Sequence, residues 1–109
     1  LTDEDWNKLH SSLINVIYSQ NGTGYRINAG ELNLAGKSGT AQVVDINSRE
    51  EYDEVRTNPL LRDHAIFIGY APYDNPRYSI AVIVENGESG GRIAGPIAKE
   101  VLEELLNDI

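Results

Sequence analysis

The sequence predicts an α+β fold, a three-stranded antiparallel meander flanked by an N-terminal and a C-terminal helix. Three observations carry this. Apolar residues recur at helical spacing over residues 3–19 and again after Gly95-Pro96. Between them, residues 34–44, 65–73 and 78–85 read as strands. The second and third are joined only by Asp74-Asn75-Pro76-Arg77, a link short enough to demand an antiparallel hairpin.

In the first helix Trp6, Leu9, Leu13, Val16 and Ile17 share a face, and Trp6 is expected to anchor it in the core. Thr2 or Asp3 caps its start, Glu4 and Asp5 oppose its dipole, and Asn21-Gly22 ends it. Residues 20–33 form a polar, glycine-containing loop. The first strand carries Gly36 and Gly39, and glycine inside a strand marks close approach of a ligand or another backbone. Residues 45–64 are polar and charged, with a short helix expected over 49–55 and a turn at Asn58-Pro59. Ile80-Ala81-Val82-Ile83-Val84 is apolar on both faces, as in a central, covered strand. Residues 87–91 read as a flexible turn. Pro96 then sits at the favoured first position of the last helix, whose stripe is Ile97, Val101 and Leu105, widened by Leu102 and Leu106.

The 109 residues, 40% hydrophobic, suffice for one domain-sized unit and not for two. The net charge of −8 repels phosphates, so nucleic acid is excluded as a partner. With no cysteine there is no disulfide framework, thiolate metal site or cysteine nucleophile. No run approaches the roughly 20 apolar residues that span a bilayer, and no signal peptide is expected within these residues. The chain opens almost at once into a helix, which suits an excised fragment.

The chemistry concentrates in Ala35-Gly36-Lys37-Ser38-Gly39-Thr40-Ala41-Gln42. A phosphate-binding loop fails on spacing, because Glu31 stands where its first glycine belongs. It fails on context too, because a strand and not a helix follows. The other reading is the K-[ST]-G strand of active-site serine, penicillin-recognising enzymes. An exposed edge lets an extended peptide lie alongside as an added strand. Gly39 permits its close approach. Ser38 and Thr40 share a face, where their hydroxyls can hold a carboxylate while Lys37 adds positive potential. A backbone N–H on the same edge can stabilise an acyl-transfer oxyanion. Simple alternation turns Lys37 to the opposite face.

Flanking segments extend the motif. Leu61-Arg62-Asp63-His64, Phe67-Ile68-Gly69-Tyr70-Ala71-Pro72-Tyr73-Asp74-Asn75-Pro76 and Val84-Glu85-Asn86-Gly87, with Asn21-Gly22-Thr23-Gly24 before the first strand, follow it in a fixed order. Together the chain resembles the penicillin-binding protein 2 family, class B elongation-type D,D-transpeptidases, from about Asn21 to the last helix. The resemblance implies that residues 1–109 are the C-terminal portion of a penicillin-binding transpeptidase domain of serine β-lactamase-like fold. It implies a parent anchored in the inner membrane, with its catalytic domain in the periplasm. That parent's serine attacks the D-Ala-D-Ala stem peptide, and the acyl-enzyme passes to an amine on a neighbouring strand. β-Lactams acylate the same serine, and the resemblance implies a chemistry that needs neither metal nor cofactor. Lys37 is implied in proton transfer, Ser38 and Thr40 in holding the donor or β-lactam carboxylate, and the Thr40 N–H in the oxyanion hole.

The chain also departs from the family. No S-x-x-K occurs, so nucleophile and base are missing and the chain alone is expected to be inactive. Ser19-Gln20-Asn21 spells S-x-N but lies close before Lys37, and is read as coincidence. A β-lactam sensor or serine β-lactamase shares the K-[ST]-G strand, yet residues 67–76 argue against both. A non-catalytic module binding cell-wall peptide or a partner protein is the alternative from another class. His64 is read as a structural hydrogen-bonding residue, His10 as a surface residue, and Tyr70, Tyr73 and Tyr78 as packing residues. In the family the strand holding residues 80–85 pairs with an N-terminal strand absent from this chain. Left at an edge it is expected to self-associate or to be covered by a helix, besides meeting the rest of the transpeptidase domain.

Overall fold

The computed structural model describes residues 1–43, 53–54 and 57–107. Helix α1 spans Asp3–Tyr18. The Thr2 hydroxyl accepts from the Asp5 N–H at 3.1 Å, and the Asp5 carboxylate accepts from the Thr2 N–H at 3.0 Å, a reciprocal cap. The helix ends with Ser19 as its cap, before Asn21-Gly22. The chain then turns so tightly over α1 that a Cβ on Gly22 would stand 2.2 Å from the Val16 carbonyl oxygen. The following loop is more than a polar connection. Two 3₁₀ turns, Tyr25–Ile27 and Gly30–Leu32, plant Ile27 and Ala29 in the core.

Strands β1 (Ala35–Ala41), β2 (His64–Ala71) and β3 (Tyr78–Val84) form one antiparallel sheet in the order β1-β2-β3. The Asn58-Pro59 turn is a 3₁₀ turn, Pro59–Leu61, whose start is capped by the Asn58 side chain accepting from the Leu60 N–H. The helix expected over 49–55 falls outside the described residues except at Asp53 and Glu54, which are helical. Val44, the expected end of the first strand, also lies outside them. β3 is an edge strand, so the central position belongs to β2, and Ile83 is 66% exposed. The apolar double face of β3 reflects surface left open here, not burial within this sheet.

Helix α2 spans Gly95–Asn107 and follows a π-helical turn, Gly90–Ala94. Residues 90 and 91, expected in a flexible turn, are buried inside that compact turn. The expected stripe is displaced as well. Ala98 and Leu102 are buried, whereas Ile97 and Val101 are each 42% exposed. The reason is size. Gly95 and Ala98 let the helix settle close to its neighbours, and a Cβ on Gly95 would lie 2.4 Å from Ile27 Cδ1. Contact through small residues rotates the larger ones outward.

Cross-strand partners share a face. Ser38 pairs with Phe67, Thr40 with Ala65, and these with Val82 and Val84, on the face that α2 covers. Lys37 pairs with Ile68, and Ile68 with Ala81, on the other face, where α1 packs beside β1. Trp6 is 55% exposed and is not a core anchor; it lines an open depression with His10, Tyr70, Tyr73 and Pro76. His10, expected at the surface, is half-buried there. Its ring stacks on Tyr70 with centroids 5.6 Å apart, and its Nδ1 shares a short hydrogen bond with the Tyr70 hydroxyl.

Candidate functional site

β1 lies at the edge of the sheet, so among the described residues no strand lies beside one side of Lys37-Ser38-Gly39-Thr40. Around that edge lie two depressions. The first is a cleft of about 310 Å³ lined by Thr23, Ser38, Gly39, Thr40 and residues 88–91. The second, about 380 Å³, runs beside the last two turns of α1 and is lined by Ser12, Asn15, Ser19, Asn21, Thr23 and Lys37.

Ser38 and Thr40 both line the first cleft. Ser38 Oγ donates to Thr23 Oγ1 at 2.8 Å. Lys37 turns to the second, and its Nζ donates to the Ser38 carbonyl oxygen at 2.6 Å. Gly39 has an approach partner already. A Cβ on Gly90 would stand 2.7 Å from the Gly39 carbonyl oxygen and 2.8 Å from its nitrogen, so backbone packs on backbone. This contact binds the π-turn to the motif strand and forms the cleft wall.

The cleft has an acidic member, Glu88, held at φ 67°. Arg62 Nε lies 3.3 Å from its Oε1, which tempers the negative potential that Glu88 places near the two hydroxyls. Arg62 is positioned by Asn86, also left-handed at φ 58°, whose Nδ2 donates to the Leu60 and Arg62 carbonyls at 3.1 and 2.7 Å. The Asn86 N–H donates in turn to His64 Nδ1 at 2.9 Å. His64 thus supports the turn after β3 from outside the cleft. Among the described residues no three acidic or histidine side chains converge as a metal site would require. Tyr70, distant in sequence from the motif, has its hydroxyl pushed above the ordinary value of 10.0 by burial.

Thr23, Glu88 and Ser89 were not singled out as site residues by the sequence. The Gly90-Gly91 pair was the available signal, since adjacent glycines permit just such a backbone approach. Ser19 and Asn21 do line the groove that holds Lys37, although their S-x-N spelling was read as chance.

The family profile described as the penicillin binding protein transpeptidase domain matches residues 1–103. The chain belongs to this transpeptidase family. Among curated relatives, the peptidoglycan D,D-transpeptidase MrdA of Acinetobacter baumannii is 45% identical over 105 residues, 96% of this chain and 15% of that protein. MrdA of Haemophilus influenzae is 41% identical over 103 residues, 94% of this chain and 16% of that protein. The chain therefore spans about a sixth of the length of these relatives. Among solved structures, the PBP2–MreC complex of Helicobacter pylori superposes with a TM-score of 0.79 at 27% identity, over 98% of this chain and 18% of that one. Pseudomonas aeruginosa PBP2 in complex with WCK 5153 gives 0.73 at 33%, over 94% and 19%. The family resemblance read from the sequence and the α+β meander both stand. No helix among the described residues is long and apolar enough to cross a membrane.

Proposed function

We propose that this chain supplies one wall of the active site of a peptidoglycan D,D-transpeptidase. The observation that supports it best is that two hydroxyl-bearing residues, Ser38 and Thr40, line one cleft beside a strand edge with no partner among the described residues. A stem peptide ending in D-Ala-D-Ala adds beside β1, its terminal carboxylate accepting from both hydroxyls. A serine outside these residues attacks the penultimate carbonyl. Its oxygen forms the acyl bond, the bond to the terminal nitrogen breaks, and D-alanine leaves with the transferred proton. An amine of a neighbouring stem peptide then takes the acyl group and frees the serine. The Thr40 N–H holds the oxyanion, and Lys37 assists proton transfer once its ammonium leaves the Ser38 carbonyl. β-Lactams enter the same cleft as donor mimics and stop at the acyl-enzyme.

The longer protein carries its membrane anchor upstream and works at the periplasmic face of the bacterial inner membrane. Its remaining domain covers the surfaces left apolar here. Glu103, Leu106 and Asn107 line a cavity with Glu31, Leu32, Pro72 and Arg77, at the end of the sheet where β2 turns into β3. Ile97, Val101 and Leu105 lie on the opposite flank by helical geometry and are partly exposed. In the isolated chain a second copy covers the free edge of β3, through the strand of residues 80–85.

Labelling with a fluorescent penicillin tests the function. The longer protein that carries these residues becomes labelled, and the isolated chain, with no S-x-x-K, does not. Failure of the longer protein to label overturns the transpeptidase reading in favour of a non-catalytic peptide-binding module.

A further inference from the structure

The geometry points to Thr23 as the positioning residue for the carboxylate-binding hydroxyl of Ser38, a role that rests on the function proposed above. Lys37 and Ser38 face opposite sides of the sheet, yet Thr23 lines both the groove of the one and the cleft of the other. A residue that reaches both must stand at the open edge of β1. Its backbone is held from two directions. On one side the Gly24 N–H donates to the Val16 carbonyl at 2.9 Å and the Gly22 N–H to the Ser19 carbonyl at 2.8 Å. On the other, Gly91 packs so closely that a Cβ there would stand 2.3 Å from the Thr23 carbonyl oxygen. The hydroxyl of Thr23 is therefore presented to Ser38 Oγ from a fixed support, at 2.8 Å.

Each hydroxyl carries one proton and can both donate and accept. With the cleft empty, Ser38 spends its proton on Thr23. When a carboxylate arrives, Ser38 turns its proton to that anion, and Thr23 reverses direction and donates to Ser38. The relay keeps Ser38 in place and polarises its O–H toward the anion, because hydrogen bonds in a chain strengthen one another. No bond to substrate is made by Thr23 itself. Its effect falls on ligands that bring a carboxylate.

The test uses the full-length protein that carries this chain, with benzylpenicillin and its methyl ester as probes and acylation resolved into binding and chemical steps. Thr23→Val keeps the shape and removes the hydroxyl. It lowers acylation by the free acid about fivefold, mainly through weaker binding, the size expected for loss of one hydrogen bond between two neutral hydroxyls. The same variant matches wild type with the ester to within about twofold, and Thr23→Ser recovers most of the loss with the acid. A Thr23→Val variant that equals wild type on the acid overturns the relay. So does an equal loss on acid and ester, which marks Thr23 as loop packing only. A wild type that neither compound acylates overturns the proposed transpeptidase function and this role with it.

Discussion

Tyr70 and Asn86 show how single residues carry structure beside the cleft. Burial raises the Tyr70 pKa, so the folded state holds that proton more tightly than the unfolded chain. Its contribution is fully present below about pH 10, the ordinary phenol value, and is lost as pH rises through the higher folded value. Tyr70→Phe should flatten the alkaline limb of stability, measured as urea midpoint against pH from neutral to strongly alkaline. It should also cost about 1 kcal/mol at neutral pH through the lost bond to His10. At Asn86 the side chain donates twice to the lead-in of β2 from a left-handed backbone. Asn86→Ala removes both bonds and adds strain, and is expected to cost about 2–3 kcal/mol in equilibrium unfolding. Neither role was legible in the sequence. Tyr70 gave no sign of its partner 60 residues away, and Asn86-Gly87 signalled a turn without naming what it ties down.

Among the elements, the strands and both helices were legible because period and turn chemistry act locally. The side of α2 that turns inward was not. Binary pattern favours large apolar residues, and the structure instead seats the helix on Gly95 and Ala98, leaving Ile97 and Val101 half-open. Leu102→Ala should therefore cost about 2–5 kcal/mol, whereas Val101→Ser in the isolated monomer should stay within about 1 kcal/mol, both by thermal melts. The π-turn before α2 is similar. Its glycines read as flexibility, yet Gly90 is locked against the backbones of Ile66 and Gly39. A Gly90→Ala Cβ would meet the Ile66 carbonyl oxygen at 2.2 Å. The clash should cost about 1–3 kcal/mol in melting experiments and push the cleft wall off the motif strand.

At the scale of the molecule, the sheet is unfinished on both margins. The β1 margin bears the motif, and the β3 margin bears an apolar strand. The motif residues could be found in the sequence because the chemistry demands a fixed local order of lysine, hydroxyl and glycine. Thr23, Ser89 and Glu88 could not, since only folding brings the loop before β1 and the turn before α2 to the same edge. The isolated chain is expected to be dimeric or larger in light scattering at micromolar concentration, and Ile83→Lys on the open face beside the β3 edge should shift it toward monomer. The central claim is that Ser38 and Thr40 together seat a ligand carboxylate. Its most direct test is the crystal structure of the full-length protein acylated by a penicillin. The claim predicts carboxylate oxygens within hydrogen-bonding distance of Ser38 Oγ and Thr40 Oγ1, and a carboxylate bound elsewhere, with both hydroxyls left to water, would contradict it.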